Sequence, residues 1–184
     1  MAYIAKSIPK KADGCGAPIS KQSMVTIIPV DIITAEPTRE LGDPNMSGDY
    51  TLSADGKAIN IYGTQKTIEV LSAMEGEVDG KGFKNGVKFD HPGDTATIRG
   101  FVEKYANKGV VAIVTECDGT GKKQTVCGRV CNPLFLTVEP TLNGEATKRT
   151  LTFQQEQVDM FGPAYYSGKE ISVAENETYT NETI

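Results

Sequence analysis

The sequence predicts a mainly β protein of the α+β class, with one helix docked on a sheet of antiparallel hairpins. Three observations carry that prediction. Val110-Val111-Ala112-Ile113-Val114 is an almost wholly apolar, β-branched run, the mark of a strand buried on both faces. Just before it, Ile98, Phe101, Val102 and Tyr105 stand at i, i+3, i+4 and i+7, one apolar stripe of a helix over 94–107. Just after it, Asp118-Gly119-Thr120-Gly121 turns the chain, so that Gln124 to Val130 returns as a partner strand.

In chain order, residues 1–22 are rich in glycine, proline and lysine and read as an arm with little core of its own. Ser23 to Thr34 is the first strand. Pro29 interrupts it and has no amide to donate, which places the strand at a sheet edge or bends it there. Glu36 to Asp49, with Pro37, Gly42, Pro44 and Gly48, is a loop too long for a simple hairpin. Tyr50 to Ser53 and Lys57 to Tyr62 flank Ala54-Asp55-Gly56 as a predicted hairpin. Thr67 to Met74 suits a strand, although Ile68, Leu71 and Met74 also fit a turn or two of helix. Glu75 to Phe83 is an acidic, glycine-rich exposed turn, and Val87 to Phe89 is a short strand. His91-Pro92-Gly93 reverses the chain, Asp94 caps the helix, and Gly109 supplies a left-handed residue beyond its end. Leu134 to Val138, Lys148 to Phe153 and Glu170 to Val173 complete the strands, and 174–184 is an acidic tail. The domain therefore spans 23–173, and no internal repeat stands out.

With 184 residues, the chain is one domain, able to bury on the order of 70% of its unfolded surface. No apolar run approaches a membrane span. Met1 to Lys6 lacks the apolar core of a secretory signal, so the expectation is a protein made and kept in a cytoplasm unless something else exports it. The net charge is −5, and all of the imbalance lies from Gln154 onward, where six acids face Lys169 alone. A chain built to grip nucleic acid carries a basic patch instead, and none longer than Lys10-Lys11 or Lys122-Lys123 occurs.

No residue pattern points to catalysis, a cofactor or a metal. His91 is the single histidine and sits at a turn, where a structural role outweighs general-base chemistry, and no Gly-x-Ser-x-Gly motif accompanies it. The thiols are Cys15, Cys117, Cys127 and Cys131. Cys127 and Cys131 are spaced C-x-x-x-C, which permits a zinc site but is a weak signal for one. Cys117 and Cys127 fall on two arms of one predicted hairpin, a geometry open to a disulfide or a shared buried site. The cytoplasmic assignment favours free thiols. Gly119 to Lys123 lacks the spacing of a phosphate loop and is followed by a strand. Glu75, Glu77 and Asp79 lack the spacing of an EF-hand.

The order Ile61-Tyr62-Gly63-Thr64, Glu75-Gly76-Glu77 with Gly82-Phe83, His91-Pro92-Gly93, the helix, Asn132-Pro133-Leu134 and Leu151-Thr152-Phe153 resembles tail proteins of Bacteroidetes phages and prophages. More broadly it is similar to the major tail tube proteins of long-tailed phages and related injection machines, over about residues 23–153. The resemblance implies two packed antiparallel sheets, sandwich- or barrel-like, with a flanking helix, an extended N-terminal arm and a long loop. It implies a structural virion protein rather than an enzyme, without cofactor. Rings of six copies would stack into a hollow tube in the virion tail, assembled in the host cytoplasm. Its partners would be itself, other phage tail proteins, and genomic DNA passing through the lumen during ejection, with no membrane. A tail terminator, head–tail connector or baseplate component is the alternative. An acidic wall suits a DNA conduit, since like charge keeps the polymer from sticking. The arm before Ser23 and the loop Glu36 to Asp49 hold too few apolar residues to order themselves. Their Ile4, Ile8, Leu41 and Met46 are thus the expected subunit-interface residues, buried by a neighbouring copy.

Overall fold

The computed structural model describes residues 7–8, 19–117 and 122–175. Nine strands form one antiparallel network that bends into two layers. In the first layer, β1 (Ser20–Pro29) lies between β4 (Ile59–Tyr62) and β7 (Val110–Cys117). β8 (Lys122–Cys127) follows β7, and β11 (Ala164–Tyr166) forms the far edge. The second layer runs β9 (Leu134–Leu142), β10 (Thr147–Gln155), β6 (Gly82–Pro92), β5 (Glu69–Glu75). A single residue pair, Val110 with Leu134, joins β7 to β9, and there the sheet turns its corner. A separate short pair, β2 (Ile33–Ala35) with β3 (Thr51–Leu52), lies outside the network.

The main core fills the space between the layers because alternation puts one apolar set on each inner face. Val25, Ile27, Ala112 and Val114 face it from the first layer; Val87, Phe89, Leu151 and Phe153 face it from the second. Phe89 and Phe153 lie on the adjacent strands β6 and β10 with ring centroids 6.1 Å apart. The one α-helix among the described residues, α1 (Ala96–Tyr105), closes the side of the sandwich. Ile98 and Tyr105 are buried in the core, whereas Phe101 and Val102 are half-buried against it.

Both ends of α1 depart from expectation. Thr95, not Asp94, is the cap, its hydroxyl accepting from the amide of Ile98 at 3.4 Å. Gly93, at φ +89°, makes the turn, and Asp94 is committed elsewhere, to Arg99 and Arg149. Gly109 is not left-handed. It is glycine because a Cβ there would lie 2.7 Å from the Pro133 ring.

A second cluster covers the outer face of the first layer, which explains why β7 is buried on both sides. Ile28, Val111, Ile113 and Val126 of the layer, with Ala164 and Tyr166 of its edge strand β11, meet Met46 and Tyr50 from the segment crossing it. The loop Glu36 to Asp49 is therefore part of the fold. Its Thr38 and Ser47 pair through their backbones, and the Met46 amide and Pro44 carbonyl bond to Tyr165.

Several strand assignments are corrected. Tyr50–Ser53 and Lys57–Tyr62 do not form a hairpin; β3 pairs with β2, and β4 pairs with β1. Ile59 and Ile61 bury more apolar surface opposite Ile27 and Val25 than a local partner offers. β1 is interior rather than an edge. Pro29 stands at its last position, where the chain passes into a 3₁₀ turn over Val30–Ile32. Of Thr67 to Met74, Thr67 closes a 3₁₀ turn over Gln65–Thr67 and the strand begins at Glu69. Val87 to Phe89 is the middle of β6, which includes His91 and Pro92, so the reversal begins only at Gly93. Residues 20–22 belong to β1, which moves the domain boundary outward from 23. The last strand is Ala164–Tyr166, while Glu170 to Val173 contributes one bridge, Val173 to Ala58. The turn over 118–121, Cys15, and most of the arm and acidic tail lie outside the described residues. No helix among the described residues is long and apolar enough to cross a membrane.

Candidate functional site: a crevice and an acidic turn at one end of the sandwich

Among the expected interface residues, Ile8 is 92% exposed and Leu41 is 62% exposed. Ile4 lies outside the described residues. Met46 is a correction: it is 8% exposed and packs in its own chain's second cluster, so it needs no neighbour. The sequence reading failed there because an isolated methionine in a Gly/Pro-rich loop carries no periodicity.

Leu41 stands on the rim of a crevice built by three segments. The loop tip brings Arg39, Leu41 and Pro44; the start of β6 brings Phe83; the run after β10 brings Met160 and Phe161. The crevice, of about 670 Å³, shares Arg39, Phe161 and Gly162 with a more enclosed cavity of about 250 Å³. Arg129, Glu36 and Asp159 line this inner cavity.

The inner wall is fixed by a buried polar network. Asp159, 5% exposed, accepts from Arg129 Nε at 3.1 Å, from the Phe161 amide at 3.1 Å and from Gln155 Nε2 at 3.4 Å. Gln155 in turn accepts from the Asn85 amide, and the Asn85 side chain donates to the Phe161 carbonyl. Backbone bonds in both directions between Phe83 and Asp159 fasten the segment to β6. Each buried polar group has a partner, which is what allows such a network to sit inside a fold.

Arg39 and Arg129 both lie over the Phe161 ring, with guanidinium carbons 5.2 and 4.8 Å from its centroid. Their circumstances differ. Arg99, Arg129 and Arg149 each bond an aspartate, while Arg39 donates only to the backbone carbonyls of Asp43 and Gly162, at 2.6 and 2.7 Å. Burial lowers the pKa of Arg39; attraction to Asp43 opposes that, and the nearby charge of Arg129 adds to it.

Beside the crevice, the turn between β5 and β6 stands clear of the fold. Glu75, Glu77, Val78 and Asp79 are all exposed, Val78 at 80%. Asp79 has φ +68°, a left-handed conformation that aspartate tolerates better than most residues. None of these three acids has an ion-pair partner among the described residues.

The other candidate groups are held for structural reasons. His91 places Nδ1 2.8 Å from the Tyr62 carbonyl oxygen, tying β6 to β4. Hydrogen bonds from Arg99 and Arg149 hold the Asp94 carboxyl well below the usual carboxylate range, so it clamps α1 to β10. Cys117, Cys127 and Cys131 are free thiols. The register opposes Cys117 to Lys122 and Cys127 to Ala112, five residues apart along β7. That is roughly 17 Å, too far for the Cys117–Cys127 bridge that the hairpin seemed to allow. Burial pushes the Cys127 thiol up to about 12, which makes it inert. Comparison with known proteins finds no matching family model, no matching curated protein and no matching solved structure.

Proposed function

We propose that this chain is a structural subunit of the major tail tube class, assembling with copies of itself into stacked rings that form a DNA conduit in a phage tail. The observation that carries this reading is the open edge of β5. Glu69 to Glu75 pairs with β6 on one side and with no strand on the other, among the described residues. The outward-facing backbone groups of this seven-residue strand are a template for another chain, and a folded protein either protects such an edge or uses it. The edge ends in exposed Met74 and leads into exposed Val78. A second edge lies open along β9, which meets β7 only at Leu134. Two open edges on one sandwich layer suit a head-to-tail contact, which closes into a ring when the rotation per copy allows. The order of short motifs from Ile61 to Phe153 supports the same class. In this reading the chain performs no catalysis, and its acidic excess keeps DNA from adhering to the wall.

Negative-stain electron microscopy of purified protein at increasing concentration tests the proposal. Rings that stack into tubes are expected. A single ring that never stacks would favour a connector or terminator, and a monomer at all concentrations would exclude the tube assignment.

A further inference from the structure

We propose that the crevice around Arg39 receives the Glu75–Gly80 turn of a second copy of this chain, with Val78 in its apolar outer part and Glu77 or Asp79 against the guanidinium. The inference rests on the self-assembly reading and names a contact within it.

Two incomplete surfaces meet each other's needs. Arg39 is half-buried at the junction of the two cavities, and among the described residues it alone of the four arginines lacks a bonded carboxylate. A guanidinium has five donors, and Arg39 uses two of them on backbone carbonyls. The crevice mouth leaves Leu41 at 62% and Met160 at 58% exposure. The chain thus keeps a cation and an apolar rim together, and neither has a complete partner.

The turn offers the complement. It carries one apolar side chain at its tip, Val78, between Glu77 and Asp79, two carboxylates with no ion-pair partner among the described residues. Gly76, at φ +114°, and Asp79 hold it in a tight reversal, so little order remains to be imposed on binding. Inserting the turn removes Val78, Leu41 and Met160 from water and gives Arg39 a charged acceptor. Charge complementarity decides among the exposed apolar surfaces: Lys81 apart, the turn is wholly acidic, and the crevice offers an arginine without a bonded carboxylate.

A charge swap tests this. The turn variant combines Glu77→Lys with Asp79→Asn, the asparagine keeping the left-handed residue unstrained. Both sites are exposed, so its melting transition should match the parent's. The concentration needed for assembly, read by light scattering and sedimentation, should rise at least about tenfold. Arg39→Glu should impair assembly similarly, and combining it with the turn variant should restore most of the loss. If Arg39→Glu fails to fold, the turn variant together with Val78→Asp, on a side chain 80% exposed, decides alone. Assembly by the turn variant at the parent's concentration would overturn the contact and leave the assembly reading standing. A parent that never assembles would overturn both.

Discussion

Replacing Asp159 by alanine should be among the most damaging single substitutions in this protein. Its carboxylate, on a residue only 5% exposed, holds four donors: Arg129 Nε, the Phe161 amide, Gln155 Nε2 and, most distantly, Asn132 Nδ2 at 3.5 Å. Removing one member of a fully buried charge pair costs about 3–5 kcal/mol, because the partner is left uncompensated. Arg129 retains about 32% side-chain exposure, so water recovers part of its loss. Gln155 Nε2 keeps its 2.9 Å bond to the Asn132 carbonyl, so the Phe161 amide is the group left short of an acceptor, and a buried group left without a partner costs about 1–3 kcal/mol. The expected total is about 3 kcal/mol, a large share of the 5–15 kcal/mol that typically holds a domain. Urea unfolding followed by circular dichroism should show a lower midpoint with an unchanged slope. Asp159→Asn keeps one acceptor for the Phe161 amide and should lose about half as much. A loss below about 1 kcal/mol for the alanine variant would mean that water enters the network, and the crevice wall would not be rigid as argued.

The helix offers a graded comparison. Ile98 is 5% exposed whereas Phe101 is only half-buried, so Ile98→Ala should cost about 3 kcal/mol and Phe101→Ala about 2, despite the larger ring; equal melting of parent and Ile98→Ala would show that α1 does not pack on the core. The Tyr50 hydroxyl is buried without a hydrogen-bond partner among the described residues, so Tyr50→Phe should stabilise the protein by about 1 kcal/mol. A destabilised Tyr50→Phe would reveal a partner for that oxygen. Asp94 has a folded-state pKa depressed by Arg99 and Arg149. Its contribution is therefore fully present above the unfolded-state value of about 4 and is lost as pH falls toward the folded value. Stability measured downward from about pH 5 should drop, and Arg149→Met should flatten that drop; an equal slope in both proteins would remove Asp94 from the account.

Much of the fold was legible in the sequence because it depends on local periodicity. The apolar run from Val110 to Val114 had to be buried on both faces, and it is. The stripe through Ile98 and Tyr105 had to face a core, and it does. Val25 and Ile27, Leu151 and Phe153 lie within segments read as strands, and they face the core. Such patterns state which face of an element avoids water, since that follows from the period of the backbone alone. They do not state which partner covers it. Ile59 and Ile61 chose β1 over the nearby Thr51–Leu52, and the choice depended on apolar surface thirty-two and thirty-six residues away in sequence, at Ile27 and Val25. Met46 was assigned to a neighbour and is buried at home, because the segment crossing the first layer's outer face meets that layer only in the folded chain. Asp94 was given a capping role and instead bonds Arg149, fifty-five residues on. The crevice around Arg39 is of the same kind: Arg39, Phe83 and Met160 come from three distant segments, and nothing in their spacing brings them together. Local pattern determined which side chains needed burial; the tertiary fold decided their neighbours, because partner choice is set by the surface and charge removed from water across the whole chain at once.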